Sequence, residues 1–490
     1  MHDSALFEAI QSLTAWEARR FRLRLQSPFF NHKNVLVHLF DYLWNCRSSD
    51  SRPDQTGAIA ALYSDADDAA ARLRHEMSEL LALLRAYLTD VELEKTPWQR
   101  HIALVRALRK RGLEKNFRHA VRESPKISTH QDASSSDRRL LDFQLQTELY
   151  EWEIRSRRYL DFPFHQQAGH LNTWYAGQLL QMACSEVAQA ALQRQDNAPH
   201  QLAIWVEGVL ASLPDAPHLH DPATMLYHCG LMMLKDSENS ALAEHFRELL
   251  ERHIDMLAHS EARELLLLAI NHGIRRINAG EREALRRTLD FYLLGLRQKL
   301  LLDENGLLSK FTYNNVLMTF LALEAWEQAL EFLEQYRPQL PPKEQDNLFR
   351  YNMAVYRFRK GDFDQALELL RNVNFPDPMY NLESRKMLLK IYYEQQAFDA
   401  LESLLENLLT WLRRHSEIGY QREMYRNLAR FTGQLLRLPP HDRDAARRLA
   451  QKIRDTPMLA ERNWLLEKKK SKCADLTKKV EGGLIFRIVF

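Results

Sequence analysis

Apolar residues in the second half of the chain recur at the three-and-four spacing of amphipathic helices, and they do so in pairs of short helices. The clearest pair runs from Asn347 to Arg359 (NLFRYNMAVYRFR), turns at Lys360-Gly361-Asp362, and continues from Phe363 to Val373 (FDQALELLRNV). Gly361 supplies a permissive turn backbone, Ala366 lets a neighbouring helix approach, and Leu367 with Leu370 forms an apolar stripe. Trp326 precedes Phe363 by 37 residues and Phe398 follows it by 35, each opening an Ala-Leu-rich helix. A hairpin alone leaves its apolar face wet, so units of this kind predict stacking on one another.

The order Ala354, Gly361, Phe363, Ala366, Leu370 resembles the tetratricopeptide pattern, whose period is about 34. Val316, Phe320, Trp326 and Ala329 take equivalent places one repeat earlier, and Leu388, Leu389, Tyr392, Phe398 and Leu405 one repeat later. Two positions depart from the pattern: Leu401 stands where a small residue is expected and Arg357 where Tyr is preferred. The resemblance implies an all-α fold, a tetratricopeptide-like α-solenoid of degenerate hairpins, preceded by an N-terminal helical subdomain.

That subdomain, residues 1–95, carries its own helical signals. Thr14-Ala15-Trp16-Glu17 is a capping box, after which Ala18, Phe21 and Leu25 line one face and Arg19, Arg20, Arg22 and Arg24 spread over the rest. Pro28 predicts a stop near Ser27, and Asn31 is expected to cap the next helix, with Leu36, Leu39, Phe40 and Leu43 inward. After a polar loop, Arg47 to Gly57, a third helix carries Leu73, Met77, Leu80, Leu84 and Leu88. Residues 96–300 read as less regular hairpins. Thr96-Pro97 opens the first helix and Gly112 ends it, the Ser-rich stretch 123–136 reads as a linker, and Asp137 caps the helix that follows. The repeats occupy 301–467, and 468–490 reads as a basic tail, disordered or foreign to the native chain, ending in the strand-prone LIFRIVF.

The run SLTAWEARRFRLRLQSPFFN (Ser12 to Asn31), the helix ending LFDYL (Leu39 to Leu43), TELYEWEIRSRRY (Thr147 to Tyr159) and WLLEK (Trp464 to Lys468) resemble a family of uncharacterised Bacteroidota proteins of about this length. The resemblance implies a helical, repeat-like fold and carries no activity.

Composition narrows the function classes. Sixty-seven basic against 65 acidic side chains leave a net charge of +2, which argues against a protein dedicated to wrapping nucleic acid. Cys46, Cys184, Cys229 and Cys473 match neither a disulfide framework nor a zinc spacing and read as thiols in a reducing compartment. No secretory signal opens the chain and no run approaches the roughly 20 apolar residues that span a bilayer. A cytoplasmic protein is expected.

Candidate chemistry is sparse. No Gly precedes a Lys, which excludes a phosphate-cradling loop, and the nucleophile elbow, zinc-protease helix and EF-hand loop are missing. His218-Leu219-His220-Asp221, and His165 with His170, offer ligand types without a four-partner set, so neither metal nor cofactor is expected. Carboxylate groups at Asp65, Asp67 and Asp68, or Glu402 and Glu406, read as surface charge and caps. A basic stretch holds Arg106, Arg109, Lys110, Arg111, Lys115 and Arg118, with Trp98 and Phe117 nearby read as core.

The function expected is therefore a non-enzymatic scaffold or adaptor that binds a protein or peptide through the concave face of the solenoid. Aligning the turns places Asn314, Tyr351, Arg359, Lys386, Lys390 and Tyr393 on that face. Lys386 and Lys390, four apart, and Arg359 favour an acidic or carboxylate-ended partner. Two alternatives stand beside it: a nucleic-acid-associated regulator acting through the arginine-rich N-terminal helices, and an enzyme without a recognisable motif, for which a buried polar constellation would be the sign.

Overall fold

In a computed structural model the chain is described at residues 1–48, 53–63, 68–128, 135–156, 161–192, 202–212, 221–371, 377–415, 418–439 and 442–471. It divides into two compact units, Met1–Leu171 and Asn172–Phe490. The described residues are helical apart from turns, short 3-10 segments and one isolated antiparallel bridge, Leu302 with Leu308. The strand-prone last seven residues lie outside the described residues.

The first unit opens with α1 (Ala5–Ser12), α2 (Ala15–Gln26), α3 (Asn34–Ser48), α4 (Gln55–Leu62) and α5 (Ala69–Lys95), which close around Phe7, Phe21, Phe40 and Leu84. The capping box forms: the Glu17 backbone amide donates to Thr14 Oγ1 at 3.2 Å and the Thr14 amide to Glu17 Oε2 at 2.8 Å. Asn31 does not cap α3. Its side chain pins the turn instead, donating to the carbonyls of Leu25 and Lys33 and accepting from the Lys33 amide. Within the expected polar loop, Asp54 caps the short α4.

Next come α6 (Pro97–Lys110), α7 (Glu114–Ser128) and α8 (Ser135–Ser156), around Val105, Phe117 and Leu141. Gly112 ends α6 at φ 67°, as its place in the sequence suggests. Of the linker stretch, 123–128 belong to α7 and 135–136 to α8, while 129–134 lie outside the described residues. Asp137 sits in the first turn of α8 rather than before it. The chain continues into α9 (Phe164–Leu192) and α10 (Ala203–Ser212).

From residue 222 the second unit is a series of paired helices. They are α11 (Pro222–Lys235) with α12 (Ser240–His253), α13 (His259–Asn278) with α14 (Glu283–Arg297), α15 (Lys310–Ala322) with α16 (Trp326–Tyr336), α17 (Gln345–Lys360) with α18 (Phe363–Arg371), and α19 (Pro378–Glu394) with α20 (Phe398–Arg414). Then α21 (Tyr420–Leu436), α22 (Arg443–Asp455) and α23 (Arg462–Ser471) close it. Helices also pack on their next-but-one neighbours: α11 on α13, α15 on α17, α17 on α19. One continuous core runs from Ala176 to Ile391, and a second, from Leu382 to Leu465, lies among α19 to α23.

Trp326, Phe363 and Phe398 each stand first in their helix, and two residues before each the backbone turns left-handed, at Glu324 (φ 56°), Gly361 (φ 84°) and Gln396 (φ 57°). In each turn the following amide reaches back five residues: Ala325 to the Phe320 carbonyl, Asp362 to Arg357, Ala397 to Tyr392, all at 2.9 Å. These contacts satisfy carbonyls that the ending helix leaves open. The aromatics themselves are less buried than the repeat suggests. Trp326 and Phe363 are half-buried and Phe398 is 42% exposed, while the residues three further on, Ala329, Ala366 and Leu401, are fully buried.

Close packing sets some small residues. Gly273 of α13 faces Thr288 of α14, and a Cβ there would overlap the threonine hydroxyl. No helix among the described residues is long and apolar enough to cross a membrane.

Candidate partner-binding face and its ion network

The six residues singled out from the repeat alignment lie on α15, α17 and α19, and the structure places them unequally. Asn314 and Arg359 are half-buried. Tyr351 is buried, its ring 5.5 Å from Tyr380 in an edge-to-face pair. Lys386 is half-buried, and Lys390 and Tyr393 are buried along the same helix. A buried ammonium is costly unless a carboxylate meets it.

Glu461 meets both lysines. Its carboxylate lies 2.7 Å from Lys390 Nζ and 3.3 Å from Lys386 Nζ, and Lys386 also pairs with Glu383 at 2.5 Å. Glu383 in turn accepts from the Tyr425 hydroxyl at 2.6 Å. Two hydrogen bonds fix the loop before α23 against α21: the Asn427 side chain donates to the Met458 carbonyl at 2.8 Å, and the Ala460 amide to the Met424 carbonyl. At Glu461 the backbone is left-handed (φ 55°), a conformation that costs a residue with a side chain about 1–2 kcal/mol. One turn on, Trp464 is almost wholly buried with its ring 5.2 Å from Tyr393, and Lys468 pairs with Glu394 at 2.6 Å. Lys468, grouped with the tail on sequence, thus belongs to the packed helix.

Burial and charge pull against each other in this cluster. Burial alone would raise the Glu461 carboxyl, but Lys386 and Lys390 outweigh it and hold the group below the usual glutamate range. Burial pushes Lys390 down, and the ammonium of Lys386 and the guanidinium of Arg359 add to that against the attraction of Glu461. For Lys386 burial is overcome by Glu383, Tyr425 and Glu461, and its ammonium is held above the usual lysine range. The two carboxylates, the two ammonium groups and the Tyr425 hydroxyl are thus tied to one another across α19, α21 and the residue that precedes α23.

The other sequence candidates resolve differently. In the basic stretch, Arg106 and Arg109 grip Glu148, a buried acid of α8, at 2.7 and 2.6 Å, and Arg118 pairs with Glu114. Lys110, Arg111 and Lys115 are exposed. Trp98 and Phe117 are buried, with Phe117 stacked on Trp152 at 4.6 Å. No group of three His, Cys, Asp or Glu able to hold a metal occurs among the described residues; His218 to His220, Asp65, Asp67 and Cys473 lie outside them. Asp221 caps α11, and His170 lies 3.8 Å from Asp142. Cys46, Cys184 and Cys229 are buried thiols outside any disulfide, and burial pushes the Cys229 thiol up to about 11. Glu148 and Glu461 are the partners that sequence reasoning missed, because each comes from a distant part of the chain, Glu148 from α8 and Glu461 from the turn before α23.

Compared with known proteins, the chain matches no family model, no curated protein and no solved structure.

Proposed function

We propose that the chain is a non-enzymatic protein-interaction scaffold, cytoplasmic, in which the paired helices of the second unit form a tetratricopeptide-like solenoid whose inner face takes an acidic segment of a partner. The next-but-one packing of α11 on α13, α15 on α17 and α17 on α19 supports the solenoid, as do the three like turns at Glu324, Gly361 and Gln396. The resemblance to the Bacteroidota family belongs to the same proposal.

The observation that carries the reading is the seating of Glu461 and Trp464 on α19. The chain's own segment lays a carboxylate between Lys386 and Lys390 and an aromatic ring against Tyr393. Charge and ring edges on this face thus select an acid followed by an aromatic. Since Lys390 and Tyr393 are already covered, a partner enters over residues of the set that remain half-buried, Asn314 of α15 and Arg359 of α17. The ion network also bears on the enzyme alternative: its charged groups meet one another, which supports a structural role for it. The nucleic-acid alternative is supported less, because Arg20, Arg22 and Arg24 of α2, like Arg106, Arg109 and Arg118, are engaged by acids.

A photo-crosslinking residue placed at Asn314, and as control at the exposed Glu331 of α16, tests the reading in cells of the native organism. A protein adduct at Asn314 and none at Glu331 is expected. Equal labelling at both, or none at Asn314, overturns it. Nucleic acid recovered in place of protein, with capture falling steeply between low and high salt, would favour the regulator instead.

A further inference from the structure

The outer face of α2 is built unlike that of a solvated helix. Ala18, Phe21 and Leu25 face the core, yet Trp16 and Leu23, two turns apart on the opposite side, are each 61% exposed. Beyond the helix, Phe29 is 84% exposed and packs edge-to-face on Phe30 at 4.9 Å. Four large apolar groups on one small unit exceed what scattered exposure explains. They are also held still. The Ser27 carbonyl accepts from the amides of Phe30 and Asn31 at 3.0 Å, and the Asn31 side chain ties the turn to Leu25 and Lys33.

A cleft opens at Phe30, the last of these groups. It has a volume of about 380 Å³, lies between α2, α5 and the start of α6, and is lined by Arg20, Arg24 and Arg100 together with Phe30, Tyr87 and Val91. Arg20 stacks over Trp16 at 4.6 Å and Arg24 over Phe30 at 4.1 Å, so the same guanidiniums floor the cleft and border the apolar groups. Two carboxylates share it: Glu94 takes both amino groups of Arg20 at 2.9 and 3.0 Å, and Asp90 pairs with Arg24. Arg24 Nε is buried and makes no hydrogen bond, and Arg19 and Arg100 are exposed and form no ion pair with any described residue.

The charge is that of a surface for isolated carboxylates and not for a polyanion. A phosphate backbone or an anionic bilayer wants many uncompensated cations, whereas here acids already neutralise Arg20, Arg22 and Arg24. Ion pairs that reach the solvent, as these do, are weakly held, so an incoming carboxylate can share their guanidiniums. The apolar groups, fixed before binding, need little ordering.

We infer that α2, the Phe29-Phe30 turn and the arginine-lined cleft form a second docking surface, for an acidic peptide segment of a partner protein that carries large apolar side chains at helical intervals. Its carboxylates enter the cleft at Arg24 and Arg100, and its apolar side chains cover Trp16, Leu23 and Phe29. The inference rests on the reading of the chain as an interaction scaffold but uses a different surface, so it stands or falls apart from the Asn314 crosslink.

The test is fluorescence anisotropy of the full chain with a labelled synthetic peptide of about fifteen residues, with Leu and Phe at three-and-four spacing, two Glu, and Gln elsewhere. Saturable binding is expected. It should weaken at least tenfold in the Trp16→Ala/Phe29→Ala variant and several-fold in Arg100→Gln, all exposed positions whose replacement leaves the circular dichroism spectrum unchanged. Absence of binding, equal binding by the double variant, or equal binding of a peptide with Ser in place of Leu and Phe overturns the inference. So does tighter binding of a single-stranded RNA fifteen-mer or of phosphatidylserine vesicles that depends on the same residues.

Discussion

The Lys390 ammonium donates to a Glu461 carboxylate oxygen at 2.7 Å across 71 residues of chain, and both side chains are largely withdrawn from water. The contact fastens the closing helix α23 to α19. It also makes the expected recognition lysines part of the fold, which changes how they can be probed.

Removing one member of a buried pair costs about 3–5 kcal/mol, because the other charge is left in the interior. Glu461→Gln should therefore lower the stability of the second unit by that order in urea denaturation followed by circular dichroism. Reversing Lys386 and Lys390 to Glu should unfold the α19 to α23 region rather than merely abolish binding. An unchanged urea midpoint for Glu461→Gln would show that the cluster is wetter than its geometry implies.

Trp464 is almost fully buried, and a buried Trp→Ala change costs about 3–5 kcal/mol. Truncation after Ala460 removes it together with Glu461, Leu465 and Lys468. The truncated chain should show a lowered melting temperature and faster hydrogen exchange in α19 and α21, with the first unit unaffected.

The aromatics of the second helices of the pairs, Phe332 within α16 and Phe363 and Phe398 at the starts of α18 and α20, should not be equivalent. Phe332 is buried, so Phe332→Ala should cost about 3–5 kcal/mol. Phe363 is half-buried against Phe358, and its replacement should cost about half as much; that of Phe398 should cost less than about 1 kcal/mol. Equal losses at all three positions would contradict this order.

Two backbone substitutions should act in opposite directions. Gln396→Gly relieves a left-handed side-chain residue and should stabilise by about 0.5–1 kcal/mol. Gly273→Ala, which in an open helix would gain about 1 kcal/mol, should instead cost about 1–3 kcal/mol because the new methyl meets Thr288. Paired thermal melts decide both.

Burial, with Arg275 and Arg276 adding to it, lowers the His272 imidazole from 6.5 to about 4. The unfolded chain therefore binds a proton that the folded chain refuses. Its contribution is complete above the unfolded value and is lost as pH falls from 6.5 towards 4, by about 3 kcal/mol in all. Glu461, held low, loses its contribution at still lower pH. His272→Gln should flatten the upper part of this slope in urea midpoints measured across that range.

Much of the fold is legible in the sequence because its determinants are local. The Thr14–Glu17 box, the Pro97 start, the Gly112 stop and the hairpin at Gly361 are each decided within five residues. Packing between helices is not local. That Leu401 is fully buried where a small residue is expected, and that Phe398 is exposed at the start of the same helix, follow from neighbours the pattern does not contain. The candidate face was legible only as a set of positions. Lys386 and Lys390 have Glu383 and Glu394 within a turn or so, but their shared acid arrives from residue 461 with no periodic signal to announce it. The same holds for Glu148 between Arg106 and Arg109.

The bridge from Lys390 to Glu461 also sets an order of events during synthesis. Chains emerge N-terminus first, at about 5–20 residues per second, and domains fold as they appear. When α19 leaves the ribosome its two lysines have no Glu461 to meet, so their side of the helix stays hydrated for several seconds while the next 71 residues are made. The paired helices before it can dry and pack in that interval. The α19 to α23 block cannot, and it remains the portion of the nascent chain that a chaperone would find open longest.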